Sequence, residues 1–227
     1  MLPEGTGTIT SVERQQKQKH RYNVFVDETY AFAVHEDVLM KHRLFKGQRI
    51  DAATMEEVLK DEERQDAYVR AVKWLGARPR TEKEIRAYLK RKAYEEAAID
   101  DCVRRLAAQK YLDDERFSRS LAEERLKMQG KGKMWIRQEL LQKGVDKSTV
   151  QEAVSSIDAG DEAEAALAIA RKRWKSLASQ DDLQGAKRRL YGYLARRGFS
   201  AGAVHAAVKA VASGGGDDDE LDVWPED

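Results

Sequence analysis

The chain of 227 residues has one cysteine, three prolines, four histidines and only 7% aromatic side chains. A single thiol excludes an intrachain disulfide and a four-ligand zinc site, so a reducing compartment is expected. No apolar run approaches the roughly 18 residues that a membrane span needs, and Met1–Thr8 lacks the apolar core of a signal peptide. A soluble, cytoplasmic protein with no membrane contact is therefore expected. His20, His35, His42 and His205 fall at no metal-ligand spacing. Gly130–Lys131–Gly132–Lys133 lacks the spacing and the Ser/Thr of a phosphate-binding loop. Asp113–Asp114 reads better as a helix cap than as a metal pair, and Cys102, beside the apolar Val103, as a half-buried structural thiol. With no catalytic constellation, metal set or cofactor motif, the chain is not expected to be an enzyme or to hold a cofactor.

Charge is plentiful: charged residues make up 36% of the chain, against a usual share of about 25%. That excess, with so little proline, suits exposed amphipathic helices better than one thick core. The net charge of +1 hides a segregation. Residues 1–63 carry 9 basic and 12 acidic groups, residues 64–213 carry 32 and 21, and residues 214–227 carry none and 7. The blocks stand at −3, +11 and −7. A basic middle suits an acidic or polyanionic partner, or simply a solvated helical face.

The first fifty residues read as a small antiparallel sheet. Thr8–Val12 and Tyr22–Val26 alternate, and Ala31–Val34 follows the polar Asp27–Glu28–Thr29 turn; a short helix is expected near Glu36–His42. A two-stranded hairpin is marginal alone, so this module should pack on a helix. From Ala53 onward the signal is helical, beginning with a long window over Met55–Gly76.

Beyond that window the sequence repeats. Ile85, Leu89, Tyr94, Ile99 and Val103 are spaced 4, 5, 5 and 4 apart; Ile136, Leu140, Val145, Val150 and Val154 repeat that spacing, and so do Leu190, Leu194, Phe199, Val204 and Val208. The periods are 51 and 54 residues, with no gap inside a unit. The spacing has a mechanical origin. Positions four apart share one helix face. Gly144 and Gly198 then stand where a left-handed residue closes that helix, and Asp146 and Ser200 cap the next one. Val145 with Val150, and Phe199 with Val204, form hydrophobic staples across those caps. The first unit has Ala93 and Glu95 in place of the glycine and the good cap, so its corner should be the least ideal.

Each unit also has a leading helix. Thr81–Glu84 is a capping box for the middle helix of the first unit, Asp113 caps the first helix of the second, and Asp158 or Asp161 caps the first helix of the third, before Ala163–Trp174. The expected fold is mainly α, a tandem array of three three-helix repeats, elongated and curved, with a small N-terminal β-containing module. The expected divisions are a hairpin module with a short helix over 1–53, repeats over 54–112, 113–157 and 158–212, and a disordered acidic tail over 213–227.

Basic residues concentrate on the middle helices: Arg86, Lys90, Arg91 and Lys92 in the first unit, Lys131, Lys133, Arg137 and Lys143 in the second, Lys187, Arg188, Arg189, Arg196 and Arg197 in the third. Equivalent positions would line one edge of the array. Such an edge can meet a nucleic-acid backbone or an acidic protein groove, or only solvate the outer face. Trp74 and Trp174 read as inter-helix core, Trp135 as a surface aromatic, and Trp224 as a short binding element or nothing. A direct DNA-binding protein of tandem three-helix modules, and a scaffold tethered through its tail, both remain open.

Four stretches carry a resemblance. They are Arg80-Thr-Glu-Lys-Glu-Ile-Arg-Ala-Tyr-Leu89, Leu112-Asp-Asp-Glu-Arg-Phe117, Ile136-Arg-Gln-Glu-Leu140 with Lys143-Gly-Val145, and Tyr193-Leu-Ala-Arg-Arg-Gly-Phe199. In this order and with this period the chain resembles the RecX family, bacterial regulators of the RecA recombinase, over about residues 64–211. The departures are Ala93 in place of a glycine and an alanine-rich third unit, and the strand module looks like an extension found in only some members. The resemblance implies a non-enzymatic modulator. It would bind the RecA–DNA filament along its helical groove, with DNA as a further contact, and suppress ATP turnover, filament growth and strand exchange. A monomer is expected.

Overall fold

The structure is a computed structural model, and it describes residues 6–177 and 182–213. The acidic tail expected to be disordered, with Trp224, lies outside the described residues from 214 onward. The chain divides into two compact units, 1–112 and 113–227.

The first unit begins with four antiparallel strands, β1 (Gly7–Arg14), β2 (Arg21–Val26), β3 (Thr29–His35) and β4 (Arg49–Ile50), in the order β3-β2-β1-β4. Asp27 and Glu28 both take positive φ, 48° and 67°. That is the mirror-image turn whose twist suits a two-residue hairpin. The short β4 is an addition to the expected two or three strands; two residues give no alternation to read. Helix α1 (Glu36–Lys41) follows β3. Ile9, Val24, Val26, Phe32 and Val34 turn one sheet face inward, where Val38, Met55 and Val58 close the core.

Met55 and Val58 belong to α2 (Ala52–Leu75), a single helix of 24 residues capped by Asp51. Its N-terminal half covers the sheet, while Ala67 and Ala71 further along join Ile85, Leu89, Ile99, Cys102 and Leu106 in the second core of this unit. Those residues lie on α3 (Glu82–Arg91) and α4 (Glu96–Ala108). One helix thus serves both the strand module and the first repeat. The Thr81–Glu84 capping box forms, and the Glu95 side chain makes no cap bond. Cys102 is fully buried rather than half-buried, and burial pushes its thiol up to about 11.

The second unit holds α5 (Asp114–Lys127), α6 (Lys133–Gln142), α7 (Lys147–Ser155), α8 (Ala159–Leu177), α9 (Leu183–Arg196) and α10 (Ala201–Ala212). Its cap residues include Asp113, Asp146 and Ser200. Asp158, not Asp161, starts α8, its carboxylate accepting from Gly160 N at 2.6 Å. Helices of the second and third repeats share one continuous core, with Leu121, Ile136 and Leu140 in the same cluster as Leu190, Leu194 and Phe199.

Thirteen of the fifteen apolar positions of the repeat are buried, and Tyr94 and Val208 are half-buried. The repeat is therefore a packing period. Its three corners share one backbone hydrogen bond and one left-handed residue. The N–H groups of Tyr94, Val145 and Phe199 donate to the carbonyls of Leu89, Leu140 and Leu194 at 3.3, 3.2 and 3.4 Å. Ala93, Gly144 and Gly198 before them take φ of 62°, 85° and 82°. Ala93 adopts the left-handed turn despite its Cβ, at a cost of roughly 1–2 kcal/mol.

Candidate binding surface

Among the described residues no cluster of three or more His, Cys, Asp or Glu could hold a metal ion, and no helix is long and apolar enough to cross a membrane. The functional question therefore rests on the surface cations, which divide into those with an internal partner and those without.

Arg86 on α3 pairs with Asp100 on α4 at 2.7 Å and with Glu82 at 2.7 Å, and Lys90 pairs with Glu96 at 2.9 Å. In the next repeat Arg137 donates to Gln151 at 2.7 Å. In the third, the Tyr191 and His205 rings meet edge-on at 5.1 Å. These three pairs occupy one structural position: each member follows the first or the fourth apolar column of its repeat. The middle helix is tied to the last helix there, by an ion pair, an ion–amide bond and an aromatic contact in turn. Arg86 and Arg137 thus brace their repeats. Sequence reasoning grouped them with free cations, although the constant separation of 14 residues was present to be read.

Arg197 is also used inside the unit. Its guanidinium donates to the carbonyls of Gln129 and Gly130 at 3.0 and 3.3 Å and to Tyr193 Oη at 3.0 Å. It thereby holds the α5–α6 loop against the α9–α10 corner. The same loop donates from Gly132 N to Arg197 O and from Met134 N to Gly198 O, both at 2.9 Å. A Cβ on Gly132 would lie 2.3 Å from the Gly198 carbonyl oxygen, so glycine is required by close backbone approach. Trp135, expected on the surface, is half-buried, with Lys131 Nζ 4.4 Å above its ring. Trp74 stacks on Tyr88 at 4.3 Å and carries Arg80 on its face at 4.0 Å.

Beneath this corner lies Glu162 of α8, 2% exposed. Its carboxylate accepts from Lys133 N at 3.1 Å, from Ser200 N at 3.0 Å and from the Ser200 hydroxyl at 2.8 Å. One buried anion thus sits at the positive N-terminal ends of α6 and α10, where helix dipoles favour it. The corresponding feature of the first unit is a charged seam on α2. Glu62, 8% exposed, accepts from His35 N at 2.6 Å and pairs with Arg21 at 2.7 Å. Burial nevertheless holds its carboxyl above the usual range. Burial acts the same way on Asp66, but the Tyr94 hydroxyl, Arg70 and Arg21 together outweigh it and lower that carboxyl. Neither Glu62 nor Glu162 was singled out from the sequence, because their partners are 27 to 41 residues away.

Among the described residues the side chains of Arg91, Lys92, Lys131, Lys133, Lys187, Arg188 and Arg196 form no ion pair. Arg91 and Lys92 are exposed at the end of α3, and Lys131, Lys133 and Lys187 are half-buried. Arg188 and Arg196 are exposed on α9, while Arg189 beside them pairs with Asp182 at 3.1 Å. Arg188, Arg189 and Arg196 line a groove of about 300 Å³ between α8 and α9, with Leu177, Tyr193 and Arg173. Arg173, which sequence reasoning did not select, lies 5.3 Å from the Tyr193 ring. Four arginines lining one groove with an aromatic ring form an anion-receptive surface.

Comparison with known proteins gives the family. Four models match in chain order: the regulatory protein RecX N-terminal domain over residues 7–51, and the first, second and third RecX three-helix domains over 67–106, 113–154 and 160–208. The match therefore reaches the strand module, which the sequence motifs did not cover. The chain is 34% identical over 204 residues to the regulatory protein RecX of Bacillus licheniformis, covering 88% of this chain and 76% of the relative. It is 34% identical over 206 residues to that of Clostridium botulinum, covering 88% and 94%. A crystal structure of regulatory protein RecX superposes with a TM-score of 0.76 at 27% identity, covering 89% of this chain and 99% of that one. RecX from Lactobacillus salivarius shares the fold at a TM-score of 0.61 and 20% identity, over 66% and 97%. A strand module followed by three three-helix domains, matched over nearly the whole described chain, places this protein in the RecX family of regulatory proteins.

Proposed function

We propose that this protein is a non-enzymatic regulator of the RecA recombinase, which binds in the groove of the RecA–DNA filament and suppresses ATP turnover, filament growth and strand exchange. Family membership is the observation that carries the reading. The surface cations support it. Arg91, Lys92, Lys187, Arg188 and Arg196 keep their charge available, whereas Arg86 and Lys90 are neutralised by carboxylates of their own repeat. Arg pairs equally well with carboxylates of a protein groove and with phosphates of a bound strand. The helices that carry these side chains are braced by caps and inter-helix bonds, so little order remains to be imposed on binding. A regulator of this kind shifts the filament between arrangements only through different affinities for them.

The test is RecA-catalysed ATP hydrolysis and strand exchange with stoichiometric protein, run beside its binding to bare DNA. The reading expects both activities to fall, and bare DNA to be bound more weakly than the filament. Unchanged activities would overturn it. Tight, steeply salt-dependent binding to bare DNA with RecA untouched would instead establish a DNA-binding protein of tandem three-helix modules.

A further inference from the structure

The α8–α9 groove combines three features that rarely coincide on a solvated surface. Arg173, Arg188 and Arg196 form no ion pair among the described residues, and Asp182 pairs with Arg189 while also lying within the field of Arg188. Its floor is apolar and aromatic, formed by Leu177 and Tyr193. The described chain ends just after α10, which packs against α8, one wall of the groove. Glu162, in the first turn of α8, bonds Ser200, the cap of α10, and the two helices pack along each other. Ser213, 13 residues beyond Ser200, therefore emerges at the same end of the unit as Leu177, 15 residues beyond Glu162.

The sequence that follows is opposite in charge to the groove. Gly214–Gly216 precede Asp217, Asp218, Asp219 and Glu220, then Leu221, Asp222, Val223 and Trp224, and the whole stretch 214–227 has seven acidic groups and no basic one. At about 3.3–3.6 Å per residue the three glycines suffice to bring Asp217 some 13 Å from Ser213. Four consecutive carboxylates match the guanidinium groups, and an indole matches Tyr193 and the arginine planes. We propose that the α8–α9 groove is a docking site for the chain's own segment 217–224, which screens these arginines until a stronger anionic partner displaces it. The proposal stands on the groove and the segment alone and does not depend on the RecA reading.

A labelled peptide of residues 213–227 serves as the probe, with the full chain as receptor. Tethering gives the native segment an effective concentration of about 1 mM; against a peptide Kd of about 100 μM, the groove of the unaltered chain is about tenfold less available. The full-length variant D217N/D218N/D219N/E220Q should therefore bind the peptide about tenfold more tightly than the unaltered chain does. R188E/R196E in that background should abolish binding with helix content intact. R188Q/R196Q, which keeps both positions polar without reversing charge, should weaken it strongly. A peptide with lysine at 217–220 should regain binding to R188E/R196E. Equal binding to the unaltered and neutralised chains, binding that survives R188E/R196E, or no binding at all would each overturn the proposal. So would a groove that takes a single-stranded oligonucleotide equally well with and without the four tail substitutions.

Discussion

Glu162 receives Ser200 twice, through its backbone N–H at 3.0 Å and its hydroxyl at 2.8 Å, while Lys133 N reaches the same carboxylate at 3.1 Å. The contact joins the second and third repeats of the second unit without any cationic side chain. Glu162→Ala leaves buried donors unpartnered and should destabilise this unit by about 3 kcal/mol. Glu162→Gln, which retains an acceptor, should cost less. Urea unfolding followed by circular dichroism measures both.

The two kinds of repeat corner predict opposite outcomes for exchanging glycine and alanine. Ala93, at φ of 62°, already bears the strain, so Ala93→Gly should stabilise the first unit by about 1 kcal/mol. Gly198→Ala imposes the same strain and sets a Cβ 2.3 Å from Trp135 N, so it should destabilise by about 2 kcal/mol or more. Thermal unfolding of the two variants reads the sign directly.

Asp146 caps α7, accepting from the backbone N–H groups of Ser148 and Thr149 at 2.9 and 3.0 Å. Hydrogen bonds from Ser148 and Thr149 hold its carboxyl well below the usual range. Its native pKa being depressed, its stabilisation is present above the ordinary Asp value of about 4 and is lost as pH falls toward the native one. Asp146→Ala should lower the melting temperature at about pH 7, and the gap to the unaltered chain should narrow under strong acid. A gap independent of pH would show that the charge of the cap contributes nothing.

What could be read from the sequence was what is local. The 4-5-5-4 columns, the Thr81 box and the left-handed corners each involve residues within a turn or two of one another, so their chemistry is written in adjacent letters. The strand module was legible apart from β4, which is two residues long. Contacts across the fold were not legible. The sequence does not show that Glu62 meets His35 N or that Arg197 reaches Gln129 O, 68 residues away. The candidate surface suffered most from this. A list of arginines does not distinguish Arg86, held by Asp100, from Arg188, which forms no ion pair among the described residues; the difference lies in what the next helix presents.

The most direct test of the proposed function is the DNA-dependent ATPase of RecA, titrated with the unaltered chain and with K187E/R188E/R189E. Arg188 is exposed and forms no ion pair among the described residues, and Arg189 forms one surface pair with Asp182, so circular dichroism should show unchanged helix content. The account predicts that inhibition by the triple variant requires about tenfold more protein at physiological salt. Full inhibition at the original concentration would contradict it.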